Sequence, residues 1–258
     1  MLNEPSKTES NFINKYGISI THFNSVVGDE MALSEHIEEF SQRFIFCIIL
    51  GLLLTTLCFA DVKEIVKLFQ APAIGIKFLQ FAPGEYFFAS LKIATFCGTL
   101  VASPLIIYQI LLYILPGMTK RERELILPMT LSSGLLFGVG LIFSYFFLVP
   151  AALNFFIGYS SDIVEPFWSF DQYFNFISIL IFVTGLAFQI PVLQVILGLL
   201  GVFSGQNMLS IWKYTLVGST IIAAIITPST DPFTQILMAS ALSILYIGGA
   251  GVVILLGK

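Results

Sequence analysis

The sequence predicts an all-α polytopic membrane protein with six transmembrane helices, and three observations carry that prediction. Hydrophobic residues make up 57% of the chain and charged residues only 11%, where an ordinary soluble domain carries about 25% charged residues. Several apolar runs approach or exceed the ~20 residues that cross a bilayer as a helix, a form that satisfies its backbone hydrogen bonds within the segment. The runs are apolar throughout, without the alternation of polar and apolar residues that a membrane β-barrel requires.

The first 30 residues are polar and contain no apolar core of a secretory signal, so residues 1–30 read as a flexible tail and 31–258 as the membrane domain. Just before the first span, Ser34 is a good N-cap, and Glu35, Glu38 and Glu39 fall where the positive end of a helix dipole favours anions. Ile37, Phe40 and Phe44 make one apolar stripe with the acids displayed around it. A helix lying on lipid usually displays Lys and Arg. This acidic one either offers carboxylates to a basic partner or uses them only as a helix start.

The spans are expected at 44–60, 92–115, 129–150, 174–200, 212–227 and 233–256. The fifth is the odd one: about fourteen apolar residues run from Lys213 to Thr227, covering roughly 21 Å of a ~30 Å hydrocarbon core. Pro104 lies inside the second span and Pro191 inside the fourth; each removes a backbone hydrogen bond and bends its helix, which together predicts a concave, cupped bundle. No repeat of the inverted-transporter kind is present, Pro104-Leu-Ile-Ile-Tyr-Gln109 and Pro191-Val-Leu-Gln194 being only loosely alike.

Six spans put both termini on one side, and positive charge chooses it. Lys7, Lys15, Arg43, Lys120, Arg121, Arg123, Lys213 and Lys258 fall on the side of the termini, against Lys63, Lys67, Lys77 and Lys92 on the other, and segment 151–173 has no Lys or Arg. The bias places the termini inside. Also inside is a dense charged island, Pro116-Gly-Met-Thr-Lys-Arg-Glu-Arg-Glu124. A net charge of −4 and the absence of any longer basic run give no footprint for nucleic acid. Cys47, Cys58 and Cys97 lie in apolar runs without metal-ligand spacing and read as core thiols. The sequence offers no nucleophile–base pair, metal site or cofactor motif, so it is not read as an enzyme.

Six motifs in order carry a resemblance: Glu35-His-Ile-Glu-Glu-Phe40, Ala82-Pro-Gly-Glu-Tyr-Phe87, Ser103-Pro-Leu-Ile-Ile-Tyr-Gln109, Pro116-Gly-Met-Thr-Lys-Arg-Glu-Arg123, Phe188-Gln-Ile-Pro191 and Thr227-Pro-Ser-Thr-Asp-Pro232. Together they resemble the TatC family, the multispanning receptor subunit of the twin-arginine protein translocase, in its cyanobacterial and plastid branch. The 26 Phe fit the AT-rich coding bias of a plastid-encoded copy. The resemblance implies binding of twin-arginine signal peptides of folded cargo, association with TatA-like and TatB-like single-span subunits and with further copies of the chain, and proton-gradient-driven transport, with a thylakoid membrane as the location and a bacterial inner membrane as the alternative.

By the same resemblance, Glu39 and Glu122 stand at the family's recognition glutamates, with Arg43 and Tyr113 beside them. Carboxylates suit this role because a guanidinium cannot be neutralised and pairs with them bidentately. Ser41 replaces a common arginine, Tyr113 a common phenylalanine, and Gln189 an intramembrane acid, so that this position hydrogen-bonds a partner helix but moves no proton. Pro72 and Pro83-Gly84-Glu85 stand either as turn formers or as part of an outer cap that gathers partner subunits. Asp231 sits in a turn too short to hide it and reads as a turn former with a contact role. Two other functions stand against the receptor: a small-solute secondary transporter using Gln109, Gln189 and Gln194 as a midplane polar site, and a membrane scaffold without receptor activity.

The charge asymmetry is tested by accessibility. In a cysteine-free background, an impermeant thiol reagent applied from outside is expected to label Ser160→Cys and spare Thr119→Cys; the reverse pattern overturns the orientation.

Overall fold

The computed structural model describes residues 33–73, 76–114, 126–160, 167–227 and 231–257. The chain divides into two units, Met1–Gln42 and Arg43–Lys258, and the helical bundle is the second. Helix α1 runs over Leu33–Ala60 and is followed by a short α2, Val62–Gln70. After strand β1, Lys77–Leu79, comes the long α3, Glu85–Ile114. Helix α4, Ile126–Phe143, passes through a π-helical stretch, Ser144–Leu148, into α5, Val149–Ser160. Strand β2, Phe167–Ser169, leads into α6, Phe170–Ala187, and α7, Ile190–Leu199. The short α8, Gly205–Ser210, precedes α9, Trp212–Ile226, and α10, Pro232–Leu255.

Five stretches are long and apolar enough to span: Ile37–Ala60, Glu85–Tyr113, Leu127–Tyr159, Phe170–Leu199 and Pro232–Leu255. The expected fifth span is α9, whose 15 residues reach only about 22 Å. The third span runs past its expected end at Pro150. A proline ring normally collides with the preceding turn, and here that turn is the wider π-helical stretch, which leaves room for it. The fourth span is broken rather than merely bent: α6 stops at Ala187, Phe188 and Gln189 make a turn, and Pro191 sits in the first turn of α7, where its missing N–H is not needed.

Pro104 stays inside α3. Its missing N–H orphans the carbonyl of Leu100, four residues earlier, and the Ser103 hydroxyl donates to that carbonyl at 2.7 Å. The Ser-Pro pair thus carries its own repair in a region without water. Thr95, Thr99, Thr184, Thr220 and Ser243 likewise donate to carbonyls one turn back.

The main core gathers α2, α3, α6 and the π-helical stretch around Phe69, Ile93, Leu148, Phe174, Ile177 and Leu180. Small residues let the backbones approach: a Cβ on Gly140 would lie 2.9 Å from Phe188 and 3.1 Å from the Cα of Gly185. At the α7–α10 contact, a Cβ on Gly249 would fall 2.0 Å from Oε1 of Gln194. The Gln194 amide is buried without a conventional hydrogen-bond partner, its carbonyl resting against the Gly249 Cα.

The connections expected as loops hold structure of their own. Helix α2 buries Val66 and Phe69 and leaves Lys63 and Lys67 exposed, which accounts for two of the lysines on this side of the chain. Its last carbonyls are taken by two tyrosines: Tyr145 Oη donates to Leu68 O at 2.7 Å and Tyr173 Oη to Phe69 O at 2.8 Å. Strands β1 and β2 pair in parallel, with Phe78 opposite Trp168. Gly84 takes φ +85° to close the turn into α3. The Glu85 carboxylate then accepts from the N–H groups of Phe81 and Ala82, at 2.6 and 3.2 Å, and from Ser169 Oγ at 3.0 Å. The Ala82-Pro-Gly-Glu85 motif is therefore both a turn and the tie between the two connections.

Two substitutions test this architecture by thermal unfolding in detergent. Ser103→Ala leaves the Leu100 carbonyl bare and is expected to cost about 1–3 kcal/mol; in a Pro104→Ala background, where residue 104 regains its N–H, the same change is expected to cost almost nothing. Gly249→Ala overpacks α7 against α10 and is expected to cost about 1–3 kcal/mol, only part of it recovered by adding Gln194→Ala, because a Cβ at 249 would also lie 2.8 Å from the Pro191 Cα.

Candidate functional site

Polar side chains inside an apolar bundle mark the places where chemistry is possible, because each is destabilising unless paired. At the end of the bundle that leads into the charged island, Arg43 of α1 and Gln109 of α3 meet: Arg43 Nη1 donates to Gln109 Oε1 at 2.7 Å, both side chains half-buried. Tyr113 lies one turn beyond Gln109 on α3 and is also half-buried. Glu39 lies in α1, half-buried, while Glu122 and the rest of the island fall outside the described residues. Among the residues expected at the site, Arg43 thus gains a partner, Gln109, that the sequence pattern placed in a midplane transport site. The signal that could have found Gln109 is its place in the Tyr108-Gln109 end of the Ser103–Gln109 motif.

The three glutamines of the transporter reading do not assemble. Gln109 is engaged by Arg43. Gln189 Oε1 accepts from Ser133 Oγ at 2.8 Å, and its Nε2 donates to Ser133 O at 3.1 Å. Gln194 sits against Gly249. No hydrogen bond joins any two of them among the described residues, and both ends of the Gln189 amide engage Ser133 of α4.

Asp231 corrects an expectation. It is buried: Asp231 is 0% exposed. Its Oδ1 accepts from Thr234 N at 2.8 Å and its Oδ2 from Thr234 Oγ1, so it is the N-cap of α10 with Pro232 in the first turn. Burial is possible because capping supplies the hydrogen bonds that water otherwise would.

Pro191 lines an apolar cavity of about 320 Å³ between α4, α7 and α10, with Pro128, Met129, Val195, Val252 and Leu256. At the sheet end of the bundle, Pro72 is half-buried in the turn that closes α2, where Ala71 N bonds Lys67 O at 3.1 Å and Ala73 N bonds Gln70 O at 2.9 Å. Lys92 of α3 pairs with Asp171 of α6 at 2.8 Å, and Asn175 holds the same carboxylate at 3.1 Å. Among the described residues no group of three or more His, Cys, Asp or Glu could hold a metal ion.

The family model described as "Sec-independent protein translocase protein (TatC)" matches residues 35–240. A tatC-like protein, ycf43, of Guillardia theta is 57% identical over 87% of this chain and 78% of its own length. The Sec-independent protein translocase protein TatC of Synechocystis is 50% identical over 89% of this chain and 90% of its own. The chloroplastic TATC of Pisum sativum is 50% identical over 89% of this chain and 65% of its own. A crystal structure of the twin-arginine translocase receptor TatC superposes with a TM-score of 0.72 at 32% identity, covering 84% of this chain and 99% of that one. The chain belongs to the TatC family of Sec-independent protein translocase proteins, multi-pass membrane components of protein transport and not enzymes.

Proposed function

We propose that this chain is the signal-binding subunit of a twin-arginine translocase in a plastid thylakoid membrane. It captures the paired arginines of a folded cargo's signal peptide at the inner face, associates there with TatA-like and TatB-like single-span subunits and further copies of itself, and supports transport driven by the proton gradient. The observation that carries this reading is the half-buried Arg43–Gln109 contact, with Tyr113 one turn on, three residues ahead of the charged island in the sequence. It is a polar contact between two apolar spans, Ile37–Ala60 and Glu85–Tyr113.

The roles follow from chemistry. Glu39 and Glu122 supply the carboxylates that a pair of guanidinium groups requires. Gln109 holds Arg43, and Tyr113 offers a ring face and a hydroxyl to the signal. Partner spans find two kinds of surface: the cavity shaped by Pro191, and α1, whose Leu52, Leu53 and Leu57 are all exposed. Gln189, bound to Ser133, holds α4 against the break between α6 and α7; Pro104 and Asp231 shape their own helices, and Pro72 the cap. A small-solute pathway lacks its midplane site once the three glutamines are seen apart.

The test is photo-crosslinking of twin-arginine and twin-lysine signals to wild type, Glu39→Gln, Glu122→Gln and the double variant at matched protein levels. A charge-assisted contact of this kind is worth about 1.5–3 kcal/mol, so each single change is expected to weaken twin-arginine binding by roughly ten- to a hundredfold. Twin-lysine binding is expected to fall less, because lysine forms no bidentate pair. Equal losses for both signals would reduce the carboxylates to a general charge effect; no loss for either would place the site elsewhere.

A further inference from the structure

Helix α1 meets the bundle along a narrow seam. From Arg43 to Ala60 none of its residues is buried, and the half-buried ones follow one line through Arg43, Cys47, Gly51, Thr55 and Cys58, at spacings of four and three. That is one edge of a helix, the edge turned to α3. The seam has two fixed points. At one, Arg43 Nη1 donates to Gln109 Oε1 at 2.7 Å. At the other the helices approach backbone to backbone: a Cβ on Gly98 would lie 2.6 Å from Thr55 N and 2.7 Å from Thr55 Cα.

The two points share one antiparallel register. Twelve positions separate Arg43 from Thr55 and eleven separate Gly98 from Gln109, so at 1.5 Å per residue the contacts lie about 18 Å apart along α1 and about 16 Å apart along α3. Each contact therefore depends on the other. Ala94 and Ala102, one turn to either side of Gly98 on α3, are both 0% exposed, so small residues continue along the same face.

In lipid, close packing supplies much of the attraction between helices, and a methyl group added at Gly98 would meet the Thr55 backbone, which cannot turn aside as a side chain can. It must displace α1 itself. Gly51, on the α1 side of the seam, differs: nothing lies within 4 Å of its Cβ position.

We propose that Gly98 is a positioning residue for signal recognition, its contact with Thr55 setting the spacing and register of α1 against α3 so that Arg43 reaches Gln109. This role rests on the receptor function proposed for the same two helices. Glu39 stands four residues before Arg43 on α1, so the helix that Gly98 seats is the one that bears a recognition carboxylate. Gly98 itself touches no signal.

Gly98→Ala and Thr55→Leu push the helices apart from opposite sides, and two such wedges keep the test open should one fail to fold. Spin labels on Phe46→Cys and Ile110→Cys, both about half exposed, report the separation by electron paramagnetic resonance in a cysteine-free background. The distance is expected to lengthen in either wedge and to stay at the wild-type value in Gly51→Ala. At matched protein levels, photo-crosslinking of a twin-arginine signal is expected to fall about tenfold in each wedge, the equivalent of one lost hydrogen bond. Twin-lysine crosslinking is expected to fall less, and Gly51→Ala to match wild type with both signals. Equal losses for the two signals, an unchanged distance, or wild-type crosslinking in the wedges would overturn the positioning role. Glu39→Gln and Glu122→Gln, run in the same assay, separate the two ideas: if they lose twin-arginine crosslinking and the wedges do not, the positioning role alone falls, and if they keep it the receptor function falls first.

Discussion

Everything in this fold depends on the absence of water from the hydrocarbon core, which forces each peptide group to find its partner inside the protein. Helices meet the demand by themselves, so the chain is helical wherever it is apolar. The demand shows most clearly where a helix is interrupted. Pro104 orphans one carbonyl, and the adjacent Ser103 hydroxyl covers it at 2.7 Å. The carbonyls at the end of α2 are covered by Tyr145 and Tyr173, reaching from the third and fourth spans. Asp231 covers the start of α10. These side chains satisfy the polar groups that lipid leaves bare, and the two tyrosines also fix α2 against the third and fourth spans.

The same constraint decides how the helices meet. Between apolar helices in apolar solvent there is little hydrophobic gain in association, so close packing and shared hydrogen bonds do the joining. Gly140 and Gly185 let α4 and α6 approach until backbone meets backbone, and Gly249 receives the Gln194 side chain. Ser133 with Gln189, and Ser219 with Ser243 at 2.9 Å, add bonds across the interfaces. The sheet end of the bundle is tied more densely, by Glu85, the Lys92–Asp171 pair and a run of aromatic contacts that includes Phe170 with Phe174 at 4.5 Å. The opposite end holds the half-buried Arg43–Gln109 contact. One end of the bundle is thus tied by polar and aromatic contacts together, and the other by the Arg43–Gln109 pair.

Hydropathy alone located the spans because length and apolarity are what a bilayer selects; even the shortness of α9 was legible between Lys213 and Thr227. Helix ends were less legible. The second span, expected from 92, belongs to a helix that already starts at Glu85, and Pro150 looked like an end but follows a π-helical stretch. Strands of three residues carry too little periodicity to be seen, and their pairing joins segments about ninety positions apart along the chain. The burial of Asp231 was hidden because turn length says nothing of what packs over the turn, whereas an Asp three residues before a Thr and just ahead of a Pro is a helix-start pattern that could have been read.

The polar residues show why composition of a site is weaker evidence than its pairing. Gln109, Gln189 and Gln194 are chemically identical and all lie within spans, which made a common midplane site conceivable. Their surroundings give them three different roles, since one holds an arginine, one binds a serine hydroxyl and its carbonyl, and one fills a notch over a glycine. What distinguishes them is the residue opposite, which no single-span pattern contains. An amide takes its role from its partner, and of the three only Gln109, near the end of its helix, is paired with a guanidinium.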